Sequence, residues 1–164
     1  MELNNELESF VLSLRLLKSW KQKVRRLEEE KKDKLIVIEC KMSGLSHSGE
    51  ILSKEQMKSS KPMPTSSNHG QGINYESLIQ KKDEIEEEYR EKESHYQYLI
   101  NNVVNVLDAM DERDRKMTVE LHVKRRFTSE SLAYKYGYAS SWGIKKHINK
   151  AIVKALRVVN ATEK

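Results

Sequence analysis

The sequence predicts an all-α protein, with long N-terminal helices forming a coiled-coil hairpin or dimer, a flexible linker and a C-terminal helix-turn-helix domain. Three observations carry this expectation. The 164 residues include only two prolines and six glycines, so little in the chain interrupts helices or makes tight hairpins. Apolar residues recur at intervals of three and four along two long stretches, which is helical periodicity. Charged residues, at 34%, nearly match the 37% that are hydrophobic, and mean hydropathy is -0.77. One large core is therefore not expected.

The first element is an amphipathic helix over residues 1–42. Leu3, Leu7, Phe10, Leu14, Leu17, Val24 and Leu27 step along one side of it. The charges between Lys18 and Lys34 form a solvated face, because Glu28, Glu29 and Glu30 are interleaved with the lysines and cancel any simple cationic stripe. The helix is expected to end near Ser43 and Gly44. Acidic residues at the very start, MELNNELESF, stand where a secretory signal needs basic and then apolar residues. No apolar run approaches the ~20 residues that span a bilayer, and the single Cys40 has no internal partner for a disulfide. A cytoplasmic protein without membrane contact is expected.

Residues 43–72 are predicted to be a flexible linker. They hold eight serines, both prolines and four of the six glycines, and no aromatic residue. Such a stretch buries too little apolar surface to offset the entropy of ordering it. A short helical turn around Glu50 to Lys58 is the only structure expected there.

Helical periodicity resumes over 73–110, now in heptads. Tyr75, Leu78, Ile85, Tyr89, Tyr96, Leu99, Val103, Val106 and Met110 occupy the two seam positions, interrupted by Lys82 and Lys92. Nine apolar residues in eleven seam places predict a coiled coil. Its partner is either the N-terminal helix folded back or the same helix of a second subunit. In a homodimer Tyr89, Tyr96, Leu99 and Val103 would carry the oligomerisation contact.

Residues 111–160 are predicted to form three short helices. Asp111 offers a cap for a helix containing Met117 and Leu121 that ends on Lys124, Arg125 and Arg126. Thr128 caps a second helix bearing Leu132 and Ala133, which Gly137 ends with positive φ. Ser140 or Ser141 caps the last helix, which runs to about Val159. Charge shifts with this domain: Ala109 to Lys164 holds 13 Lys or Arg against 6 Asp or Glu, whereas the first 108 residues hold 17 against 19. The balance thus moves from -2 to +7 within a chain of formal charge +5, which points to an acidic partner for the C-terminal third.

In a helix-turn-helix the second helix seats on the first through small and apolar residues while its outer face meets base edges. Ile144, Ile148, Ala151, Ile152 and Ala155 supply the first requirement. Ser140, Ser141, Trp142, Lys145, Lys146 and Asn149 supply the second, since Lys, Asn and Ser match base-edge donors and acceptors and Trp packs on a thymine methyl or a sugar. Trp142 has core packing as its alternative. Lys124, Arg125, Arg126, Thr128, Lys135 and Lys150 are placed to hold phosphate, giving affinity without sequence information. His147 is expected to face the preceding helix.

The phrase T-x-x-x-L-A-x-x-Y-G-Y over Thr128 to Tyr138, followed by I-K-K-H-I-N-K-A-I-x-K-A-L over Ile144 to Leu156, resembles the fourth region of primary-type sigma factors and the LuxR-type DNA-binding domain. The layout as a whole is similar to small phage-encoded transcriptional regulators of Gram-positive bacteria of the RinA and ArpU type. That resemblance implies a bacterial DNA-binding regulator of phage late or prophage genes, acting on double-stranded DNA; its helical N-terminal part is expected to make it a homodimer or to meet RNA polymerase. The chain departs from the sigma-like pattern at one point. The step from Leu132 to Ile144 is twelve positions, not eleven, and Gly143 lies inside the reading helix. Either the turn is one residue longer, or Gly143 takes the buried place.

Other functions are expected less. A small terminase-like DNA-packaging component would share the basic helices, as would a protein that binds RNA polymerase or sigma factor and never touches DNA. Enzymatic chemistry is not expected. His47, His69, His95, His122 and His147 are scattered without metal-ligand spacing, and there is neither a glycine-rich phosphate loop nor a G-x-S-x-G phrase. No metal or cofactor is expected.

Overall fold

The computed structural model describes residues 2–56 and 74–162, and side chains over 5–44 and 74–162. The protein is all-α. Its helices are α1 (Glu2–Gln56), α2 (Tyr75–Asp108), α3 (Glu112–Thr118), α4 (Ser129–Tyr136) and α5 (Ser141–Thr162), and α3 continues into a π-helical segment, Val119–Lys124. No helix among the described residues is long and apolar enough to cross a membrane.

The helix expected to stop at Ser43 and Gly44 continues to Gln56. A glycine weakens a helix by up to ~1 kcal/mol relative to alanine yet keeps its N–H in the ladder, whereas proline removes it. The first proline is Pro62. Helix thus replaces the linker expected over 43–49 and takes in the turn expected from Glu50, while the remainder, 57–72, lies outside the described residues. Asn74 opens α2 by accepting the Glu76 N–H at 3.4 Å on its side chain.

The chain divides into two compact units, 25–93 and the joined segments 1–24 and 94–164. In the unit 25–93, α1 and α2 run antiparallel as a hairpin, because partner numbers fall along one helix as they rise along the other. Lys31 pairs with Glu93 at 3.8 Å and Glu39 with Lys82 at 3.4 Å, and Tyr89 Oη donates to Glu30 at 3.4 Å. Ile38, Leu78 and Tyr89 are buried in the seam. The folded-back N-terminal helix is thus the coiled-coil partner within the chain.

The seam departs from strict heptads. Tyr75 and Lys92 are exposed, Glu93 is drawn partly inward, and Ile100 is buried where Leu99 was expected. Steps of four from Ile85 to Tyr89 and again from Tyr89 to Glu93 amount to a stutter, which returns a straight helix to the seam that heptads overshoot. The shift falls where the hairpin gives way to the other unit.

In the unit formed by 1–24 and 94–164, one core joins every helix. Phe10, Leu14 and Leu17 of α1 meet Ile100, Val103, Leu107 and Met110 of α2, Met117 of α3, Leu132 and Ala133 of α4, and Ile144, Ile148, Ile152 and Ala155 of α5. The expected 111–160 domain therefore does not close its core alone. The first turns of α1 and the end of α2 complete it.

Glu93 carries a cost in this arrangement, since its Oε1 is buried without a hydrogen-bond partner while the carboxylate reaches Lys31 only at 3.8 Å. Replacing it with an apolar residue of seam shape removes that desolvation. Glu93→Leu is expected to raise the stability of the hairpin by about 1 kcal/mol in urea unfolding, and a lowered midpoint would contradict the seam assignment.

Candidate nucleic-acid interface

The last helix, α5, is positioned by local signals on both sides of the turn that precedes it. Thr128 caps α4, its Oγ1 accepting the Ser131 N–H at 3.2 Å. Gly137 ends α4 at φ 76°, and the N–H groups of Gly137 and Tyr138 donate to Tyr134 and Ala133 carbonyls at 3.3 and 2.8 Å, a Schellman closure. Ser140, rather than Ser141, caps α5, accepting the Gly143 N–H at 3.1 Å. Asp111 occupies the N-cap place of α3 but makes no side-chain cap bond.

The question of register is answered by burial. Ile144 is fully buried and Gly143 only partly so, so the turn is one residue longer and Gly143 is not the packed position. A Cβ at Gly143 would meet Ser140 Oγ at 3.4 Å and Tyr138 at 3.9 Å, ordinary contacts that leave room for alanine.

With Ile144, Ile148, Ile152 and Ala155 turned inward, the opposite face of α5 is set. Trp142 is 68% exposed, which excludes core packing, and the Lys146 ammonium sits 4.7 Å from its ring centroid. Lys145, Lys146, Asn149 and Lys150 are exposed, Ser140 is exposed and Ser141 half-buried. The helix carries five Lys or Arg and no Asp or Glu, so no acid within it screens that face.

The helices beneath α5 are locked by polar contacts that the sequence did not single out. His147 Nε2 lies 2.8 Å from Asp114 Oδ1, and its ring packs on Tyr138 with centroids 5.5 Å apart. Lys135 Nζ donates to both Glu120 oxygens at 2.8 and 3.0 Å, Tyr136 Oη donates to Glu120 at 3.1 Å, and Arg113 donates to the Tyr136 carbonyl at 3.0 Å. The hydrogen bond from Lys135 holds the Glu120 carboxyl below its ordinary range. Lys135, expected at phosphate, is committed to this brace. Thr128 spends its hydroxyl oxygen on its cap, while Lys124, Arg125 and Arg126 are exposed just beyond the π-helical segment. Arg125 holds the left-handed φ of 52° that ends that segment.

Of the residues expected at an oligomer contact, Tyr89 and Val103 are buried within the chain, and Tyr96 and Leu99 are half-buried. The Tyr96 hydroxyl accepts from Lys23 at 3.2 Å.

An unforeseen feature adjoins the reading face. A cleft of about 590 Å³ is lined by Glu8 and Arg15 of α1, His122 and Arg125 of the π-helical region, and Lys145 and Asn149 of α5. Nothing in the α1 pattern marks Arg15, whose place on the solvated side says nothing of what stands opposite. The His122 Nε2 is buried without a partner. Burial first, and then the charges of Arg15 and Arg125, push its imidazole down to about 4. Among the described residues no group of three His, Cys, Asp or Glu could hold a metal ion.

Comparison with known protein families, curated proteins and solved structures finds no match to this chain. Function therefore rests on the geometry and charge of this face.

Two outcomes are expected. Gly143→Ala should stabilise the protein by about 0.5 kcal/mol through helix propensity, read as a higher thermal midpoint; destabilisation would mean that Gly143 is packed after all. For His122, the unfolded chain takes up a proton near pH 6.5 and the folded one only near 4, so stability is full above pH 6.5 and falls as pH drops toward 4. The loss should be about 1 kcal/mol, because part of the ring remains solvated. His122→Gln should flatten urea midpoints over that window relative to wild type; identical slopes would refute it.

Proposed function

We propose that this chain is a sequence-specific, double-stranded-DNA-binding transcriptional regulator in which α5 reads the major groove. One observation carries the reading: a long helix, buried along one side by an isoleucine ladder, presents an exposed tryptophan flanked by Lys145, Lys146, Asn149 and Lys150 with no acidic residue in the element. A major groove admits one α-helix, and side chains of these types pair with base edges there.

In this reading Lys145, Lys146 and Asn149 donate to base edges, Trp142 packs on a thymine methyl or a sugar, and Ser141 meets the groove edge. Lys124, Arg125, Arg126 and Lys150 neutralise phosphate, each adding a counterion-release contribution to affinity. The Glu120–Lys135 and Asp114–His147 contacts act as braces that hold α5 at a fixed angle. Such bracing matters because a reading side chain has to meet its base within hydrogen-bond distance. The resemblance of Thr128 to Leu156 to sigma-like and LuxR-like helix-turn-helix sequences points the same way, and the similarity in layout to RinA and ArpU regulators makes phage late or prophage genes the proposed targets. The hairpin unit is the part left to meet RNA polymerase or a second subunit.

The test starts from duplexes selected from a random pool by the wild-type protein. An enriched sequence is expected, and Lys145→Ala combined with Lys146→Ala should weaken binding to it by at least about tenfold, given ~1–3 kcal/mol for each good base contact. Circular dichroism should remain unchanged, since both side chains are exposed. Undiminished binding by the double variant, or a pool with no enrichment, would overturn the reading.

A further inference from the structure

The cleft beside α5 brings together cations from three distant parts of the chain. Arg15 comes from α1, Arg125 from the end of the π-helical segment and Lys145 from the reading helix. Among the described residues, none of the three has a carboxylate within ion-pairing reach. Among the described residues Glu8 is the only acid lining the cleft, so the described lining carries an excess of positive charge. A nearby group registers that field, because both arginines act against protonation of the buried His122.

The backbone points the same way. Arg125 sits at φ 52°, a left-handed conformation that glycine adopts freely and an L residue only under strain. Strain of this kind collects where a side chain is needed at a site.

We propose that the duplex read by α5 is also gripped by the first helix, with Arg15 holding a backbone phosphate in the cleft that it shares with Arg125 and Lys145. This rests on the DNA-binding reading and extends it beyond the helix-turn-helix. DNA is favoured over a small anion or an acidic protein because Lys145 and Asn149 belong both to the cleft and to the reading face. A helix seated in the major groove is flanked by the phosphates of the groove edges. The edge next to Lys145 and Asn149 thus meets the wall that carries Arg15. Glu8 opposes a phosphate there and weakens the grip.

The test measures fluorescence anisotropy of a mixed-sequence 30-base-pair duplex against the full chain over a salt series. Non-specific binding is suitable because a phosphate contact carries no sequence information. Arg15→Ala should lower affinity about fivefold near 0.15 M salt and reduce the log–log salt slope by roughly 0.9, the value of one phosphate contact. Arg15→Lys should restore most of the slope. Glu8→Gln should bind more tightly than wild type, and both positions are exposed, so thermal melts should match wild type. Lys32→Ala removes the same charge from α1 outside the cleft and should leave the slope unchanged. An unchanged slope in Arg15→Ala, an equal loss in Lys32→Ala, or no gain in Glu8→Gln would overturn the proposal while leaving the reading helix intact. A wild-type protein that shows no salt-dependent binding at all would overturn both.

Discussion

The structure depends on the packing of one isoleucine ladder. Ile144, Ile148 and Ile152 are fully buried, spaced so that each lies one turn above the last. They hold α5 against α3 and α4 on one side and against the α1–α2 ends on the other, within one continuous core. Because a helix has only one circumference, burying this stripe decides which residues look outward. The exposed Trp142, the basic face and the position of Lys145 beside α1 all follow from that burial.

A second theme is the difference between charges that are spent and charges that remain available. Lys135 lies in the helix just before α5, yet its ammonium is held by Glu120 at 2.8 Å. Arg115 and Lys116 are paired with Asp108 and Glu112. Among the described residues, the cations at the tip of the π-helical region, on the outer face of α5 and at Arg15 are in no such pair, and neither are others such as Lys32 of α1. Net charge alone would not have separated these groups, since a bound lysine and a free one count equally in a composition. Exposed pairs contribute little to stability, typically below about 1 kcal/mol each, and their larger effect here is on which cations stay free of a carboxylate.

The hairpin of residues 25–93 obeys a different rule. Among the described residues its seam buries Ile38, Leu78 and Tyr89, and ion pairs along its edges set its direction. The stutter near Glu93 lets two long helices leave heptad packing and enter a core in which α2 presents Ile100, Val103 and Leu107.

Much of this was determined by the amino-acid sequence alone. Helical class, the apolar line from Leu7 to Leu27, the α4 cap at Thr128, the turn at Gly137 and the inward set of α5 are all local consequences of periodicity and capping, which act within one or two turns. The helix continuing to Gln56 was missed because a cluster of glycine and serine was weighed as a stop, although nothing there removes a backbone donor. The seam register near Glu93 was missed because heptad counting assumes a constant supercoil, and the accumulated drift of a straight helix is settled only against its partner. The burial of Ile144 over Gly143, the commitment of Lys135 to Glu120 and the meeting of Arg15 with Arg125 and Lys145 were decided by tertiary structure. Each depends on residues far apart in the chain arriving at one place, and such distances are fixed by how several helices pack together, which no single helix carries in its own pattern.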